Sequence, residues 1–159
     1  MRIGIADTMF ARANMGKIAI ETINRECKAK GYKVEIERYT VPGIKDLAIA
    51  SKKLFEEKNC DIIIALGFVG EAEVDERCAM EAGIGLIIAE LLSGKHILKV
   101  FVHSCESKKD SELAKILKDR VEKHSLNALD LLFNPQSLVE RAGTGQRQGS
   151  KNAKLLPVK

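Results

Sequence analysis

His103 closes the apolar run that begins at Ile97, and histidine is the side chain most often used for general acid–base work. Three carboxylates, Glu71, Glu73 and Asp75, crowd the segment Gly67-Phe68-Val69-Gly70-Glu71-Ala72-Glu73-Val74-Asp75. Together they would repel a phosphate, hold a divalent cation through oxygen ligands, or serve as a general base. Taken singly, Glu71 and Glu73 equally suit a helix dipole. The two glycines in this segment fit neither a G-x-G-x-x-G nor a Walker pattern. Thr8, Phe10 and Arg12 follow the first apolar run, where Phe10 either offers a face to a flat ring or packs against a helix. Val41-Pro42-Gly43-Ile44-Lys45-Asp46 forms a stiff turn before a helix. Its free N–H groups and Asp46 suit a polyhydroxylated chain, although an Asp also simply favours a helix N-terminus. His124 lies on the apolar stripe of a helix and reads as a packed histidine. His96 precedes a strand at the opposite edge. The cysteines at positions 27, 60, 78 and 105 form no CxxC pair, which argues against zinc and for small buried hydrophobes. Cys105, near a strand end, is the least secure of these.

The elements that must position these residues follow from periodicity. Ile3 to Ala6, Lys33 to Val41, Asp61 to Leu66 and Ile97 to His103 read as strands. Asp61 to Leu66 is almost wholly apolar, as a central strand covered on both faces would be. Gly67 and Gly70 are expected to break it. Met15, Ile18, Ala19, Ile23 and Cys27 mark a first helix ended by Gly31, and Leu47, Ala50, Leu54 and Phe55 mark a second, to about Lys58. A third runs from about Val74 to Leu92, and its second half is apolar nearly all round. In so short a chain, its extra apolar side suggests contact with another subunit. Leu113 to Leu131 traces a long fourth helix, and Asn134-Pro135 opens a short fifth that stops near Gly143. The order βαβαβαβα implies a parallel sheet between helices, with ligands bound beyond the carboxyl ends of the strands. That rule selects Asp7 to Arg12, Val41 to Asp46, Gly67 to Asp75, and Val102 to Glu106.

The chain has 159 residues, 45% of them hydrophobic and 30% charged. This suits one folded domain, expected over residues 1–142, with a glycine-rich polar tail over 143–159 that is mobile unless a partner or ligand holds it. Twenty-six basic against 22 acidic residues leave a net +4, with the charges interspersed. Five Phe, two Tyr and no Trp give few stacking platforms, so nucleic acid is not favoured. No apolar run is long enough for a membrane span, and the N-terminus reads as a strand rather than a signal peptide. We therefore expect a cytoplasmic protein.

Several segments together resemble the lumazine synthase superfamily, and more closely its archaeal riboflavin synthase branch. They are Asp7-Thr8-Met9-Phe10-Ala11-Arg12, Val41-Pro42-Gly43-Ile44-Lys45-Asp46-Leu47, Ala65-Leu66-Gly67, Val100-Phe101-Val102-His103, and Arg141-Ala142-Gly143-Thr144-Gly145-Gln146-Arg147-Gln148-Gly149. The resemblance covers nearly the whole chain. It implies a flavodoxin-like α/β/α fold with a four-stranded parallel sheet, and a homopentamer with active sites between neighbouring subunits. It also implies dismutation of two 6,7-dimethyl-8-ribityllumazine molecules into riboflavin and 5-amino-6-ribitylamino-pyrimidinedione. A magnesium or manganese ion is associated with the branch, and no flavin cofactor is required. Carried over by position, Phe10 would stack on the ring, Ile44, Lys45 and Asp46 would meet the ribityl chain, and Gly67 to Glu71 would line the ring pocket. Thr8, Pro42, Gly43 and Val102 fall in the same substrate-binding segments.

Where lumazine synthases carry a histidine after the third strand, alignment on Asp75 and Cys78 places Glu73. Acids also stand where that pattern binds a substrate phosphate, which disfavours a phosphorylated four-carbon substrate and leaves room for a second neutral lumazine. Against this, Glu140-Arg141-Ala142-Gly143-Thr144 resembles the phosphate-binding arginine segment of lumazine synthases, but it comes after the Asn134-Pro135 break. The expected chemistry is removal of a proton from the C7 methyl group by His103 or Glu73, with Lys45 or Arg147 stabilising anionic ring oxygens. The alternatives are lumazine synthase, a non-catalytic flavin or nucleotide carrier of the same fold, and a structural shell protein.

Overall fold

The computed structural model describes residues 1–157; residues 158–159, the end of the expected tail, lie outside the described residues. Four strands, β1 (Arg2–Thr8), β2 (Glu35–Val41), β3 (Ile62–Val69) and β4 (Ile97–His103), form one all-parallel sheet in the order β2-β1-β3-β4. Helices α1 (Met15–Lys30), α2 (Leu47–Glu56), α3 (Glu73–Ser93), α4 (Asp110–Phe133) and the short α5 (Gln136–Glu140) complete the chain. α1 packs beside α4 on one face of the sheet, and α2 beside α3 on the other. This is the three-layer α/β/α architecture that the alternating sequence requires, with each parallel crossover supplied by a helix.

All eight residues of β3 are buried, as a central strand covered on both sides must be. Alternation splits them between two cores. Ile62, Ile64, Leu66 and Phe68 join Ile3, Ile5, Val100 and Val102 under α1 and α4, whereas Ile63 and Ala65 join Ala6, Leu47, Leu54 and Leu86 under α2 and α3. Asn14 caps α1 by accepting from the Lys17 N–H at 2.9 Å, and Gly31 ends that helix at φ 71°, a left-handed conformation costly for a side chain.

Two features, the extent of β3 and the burial of the cysteines, differ from the sequence reading. Gly67 does not break β3, which runs on to Val69, because Gly67 pairs in register with Phe101 and the Phe101 ring fills the space a Cβ would need. The glycine-rich segment 143–153 makes hydrogen bonds to α4 and within itself. The Gly149 N–H donates to Asp119 of α4 at 2.7 Å, Lys123 Nζ donates to the Arg147 carbonyl at 3.2 Å, and Ala153 N–H donates to the Gly145 carbonyl at 2.9 Å. Only two of the four cysteines, Cys27 and Cys60, are buried; Cys78 is half-buried and Cys105 exposed. Burial pushes the Cys60 thiol up to about 11, so it is inert.

Candidate active site

In this strand order the chain reverses direction across the sheet at β1, so a crevice opens between the carboxyl ends of β1 and β3. A cleft of about 440 Å³ lies there, lined by Phe10, Pro42 to Asp46, Phe68 to Gly70, and Asp75 and Cys78 from the start of α3. Its size lies within the range of small-molecule sites. Three local devices build it. Phe10 is presented by the turn after β1, where Thr8 Oγ1 donates to the Phe10 carbonyl at 2.9 Å and Met9 N–H donates to the Val41 carbonyl at 2.7 Å. The Phe10 ring stays 59% exposed, an unusual state for a large aromatic and one suited to stacking. Pro42 and Gly43 lead into a single helical turn, Ile44 to Asp46, that carries Lys45 to the rim. Asp75 accepts from the Ala72 N–H at 3.1 Å and so fixes the first turn of α3, with Cys78 one turn further along the same face.

The expected site residues divide into three groups. Phe10, Pro42, Gly43, Ile44, Lys45, Asp46, Phe68 and Gly70 are brought together around the cleft. Thr8 and Gly67 lie just behind it, Thr8 as the hydrogen-bonding partner of Phe10 and Gly67 in close approach to Ile44 and Phe101. The remaining residues do not line it. Glu71 and Glu73 point to solvent beside the α3 N-terminus. Val102 is wholly buried and faces α1 and α4, because alternation along β4 turns its side chain away from the α2–α3 face; its expected contact with substrate is therefore corrected to core packing. Arg147 is exposed on the segment that lies along α4. His103 sits at the end of β4, where its Nδ1 meets Glu76 Oε1 of α3 at 2.8 Å, with Cys105 close by.

One lining residue, Cys78, lies outside the segments that the sequence assigned to the site. Cys78 was legible as the residue three positions after Asp75, on the same helix face.

Charge at the rim is paired. Lys45 Nζ meets Glu81 Oε2 of α3 at 2.7 Å, which raises the Lys45 pKa and lowers that of Glu81 through their hydrogen bond. Lys45 is thereby a fixed cation above the cleft. Beyond β4, Glu106 lies below its usual pKa: burial opposes ionisation, but hydrogen bonds from Arg120 and from the His103 N–H outweigh it. Among the described residues, no three His, Cys, Asp or Glu side chains converge as a cation site.

The sequence matches the 6,7-dimethyl-8-ribityllumazine synthase family over residues 1–133. It is 50% identical over 149 residues to riboflavin synthase of Archaeoglobus fulgidus, covering 94% of each chain. It is 43% identical over 153 residues to riboflavin synthase of Methanothermobacter thermautotrophicus, covering 96% of this chain and 97% of the relative. It is likewise 43% identical over 152 residues to riboflavin synthase of Aeropyrum pernix, covering 95% of each. Matched along almost its full length by such relatives, the chain belongs to the 6,7-dimethyl-8-ribityllumazine synthase family, in the archaeal riboflavin synthase branch.

Proposed function

We propose that this chain is an enzyme that makes riboflavin by dismutating two molecules of 6,7-dimethyl-8-ribityllumazine, one giving a four-carbon unit to the other and leaving as 5-amino-6-ribitylamino-pyrimidinedione. The observation that carries this reading is the 43–50% identity, end to end, with archaeal relatives named riboflavin synthase. The cleft supports it. An exposed aromatic face at Phe10 suits a flat heterocycle, and the Gly43-to-Asp46 turn offers donors and a carboxylate to a chain of hydroxyls.

The C7 methyl proton of the substrate is already acidic, because the ring spreads the resulting negative charge. The protein then has chiefly to hold two rings face to face, which replaces much of the entropic barrier. Lys45, kept protonated by Glu81, stabilises charge on ring oxygens. His103 or Glu73 moves the proton. Neither lines the cleft of its own chain, so in this reading each acts on the cleft of a neighbouring subunit. Arg147 approaches from the C-terminal segment in the same manner.

The assembly in this reading is a homopentamer in the cytoplasm. Its support is a stripe of exposed apolar residues on α3, Met80, Ile84, Ile87, Ile88 and Leu91, at helical spacing. No helix among the described residues is long and apolar enough to cross a membrane.

The decisive experiment supplies purified protein with 6,7-dimethyl-8-ribityllumazine alone and follows flavin fluorescence, with and without a chelator. Riboflavin formation is expected. Loss of turnover on chelation, restored by magnesium or manganese, would establish metal dependence. Failure to form riboflavin, with activity appearing only on a pyrimidinedione and a phosphorylated four-carbon compound, would identify lumazine synthase instead. Tight binding without product would identify a carrier. Wild-type turnover in both His103→Ala and Glu73→Gln would remove the proton-transfer assignment.

A further inference from the structure

Asp7 is a buried carboxylate one residue before the end of β1, and it does not line the cleft. Its Oδ1 accepts from Thr40 Oγ1 at 2.7 Å and from Arg38 Nε at 3.2 Å, and its Oδ2 accepts from Arg38 Nη2 at 2.5 Å. The Arg38 fork reaches further: Nη2 also donates to Asn14 Oδ1 at 3.0 Å, and that same oxygen caps α1 through the Lys17 N–H. The backbone of α1 closes over this pair so tightly that a Cβ on Gly16 would lie 2.5 Å from Asp7 Oδ2.

The consequence lies in the loop between Thr8 and Asn14. At its start it is tied to the end of β2 by Met9 and Phe10, whose N–H groups donate to the carbonyls of Val41 and Pro42 at 2.7 and 3.4 Å. At its finish Asn14 is tied to β2 by Arg38, itself clamped to β1 by Asp7. Phe10 belongs to the first tie, its backbone held while most of its side chain stands in solvent. An exposed ring can serve as a stacking platform only if its backbone is fixed, because a shift of about 1 Å at a reacting centre is costly. A buried ion pair is a poor source of stability, since desolvation cancels much of its attraction. Its bidentate geometry does fix direction, and here it ties β1 and β2 to the finish of the loop at Asn14, while Asp7 leads along the chain into its start at Thr8.

We infer that Asp7 and Arg38 are positioning residues for substrate binding, acting through the loop that presents Phe10. This rests on the lumazine-binding reading above. The test is a double-mutant cycle read by fluorescence titration with 6,7-dimethyl-8-ribityllumazine, which needs no turnover. Arg38→Lys keeps the charge but loses the fork. It is expected to weaken binding about fivefold in the otherwise native protein and to have no further effect in the Phe10→Ala background, with the melting temperature held within a few degrees. Weakening of equal size in both backgrounds, or none in either, overturns the inference. If Arg38→Lys does not fold, Thr40→Val, which removes one bond to Asp7, is expected to show the same dependence on Phe10 at smaller size, and its absence is equally decisive. Native protein that neither binds nor converts the lumazine overturns the proposed function itself. Native turnover with an additive cycle overturns only the positioning role.

Discussion

Phe10 contributes little to the core, because its ring is 59% exposed, so its truncation tests the cleft rather than the fold. A lost ring–ring stack is worth about 0.5–1.5 kcal/mol, so Phe10→Ala is expected to raise KM for the ribityllumazine by up to about tenfold and to leave the melting temperature nearly unchanged. Steady-state kinetics beside a thermal melt would show it, and an unchanged KM would remove Phe10 from the site. His124 behaves in the opposite way. It sits on α4 with its Nδ1 buried and unpartnered, and burial, then the Arg120 charge, lowers its pKa below the ordinary 6.5. The unfolded chain therefore binds that proton more readily than the folded one. Stability is expected to be full above about pH 6.5 and to fall as the pH drops below it. Urea melts between pH 7 and 5 should show this slope in the native protein and a shallower one in His124→Leu.

At the scale of the element, the glycines of β3 and of the turn that follows it carry the geometry of the cleft. A Cβ on Gly67 would lie 2.8 Å from the Phe101 ring and 3.1 Å from Ile44, inside a fully buried strand. Overpacking of this kind costs about 1–3 kcal/mol, so Gly67→Ala is expected to lower the melting temperature by several degrees. It should also raise KM, because Ile44 lines the cleft; a variant as stable and active as the native protein would show that the strand yields freely. A Cβ on Gly70 would meet the Asp75 carboxylate at 2.2 Å and displace it from the Ala72 N–H that it caps.

At the scale of the molecule, the outward stripe of α3 is the largest feature that a single chain leaves unexplained. Ile84, Ile87, Ile88 and Leu91 are each about half exposed or more, whereas Ala79, Ala82 and Leu86 on the other side of the helix are buried. Exposed apolar residues in a contiguous row mark an association surface. Light scattering behind a sizing column should therefore give a mass several times the 17.5 kDa of one chain. Ile84→Glu with Ile88→Glu should give single chains that no longer make riboflavin, since the proposed proton-transfer groups lie outside the cleft of their own subunit. A native protein of monomer mass with full activity would refute the assembly.

The alternation of apolar strands and amphipathic helices determined the layer order, the parallel sheet and the four strand-end segments, because these follow from periodicities of two and 3.6 that the chain carries locally. Phe10 and the Pro42-to-Asp46 turn were legible for the same reason: each stands directly after a strand. The tertiary structure decided the rest. Whether Gly67 ends β3 depended on a ring from β4, and Val102 turned inward because the pleat assigns alternate side chains to opposite faces. Asp7 found Arg38 across 31 positions of sequence, and His103 found Glu76 across 27. Such pairs are made when separate elements dock, and no local pattern of residues records which partner the packing will supply.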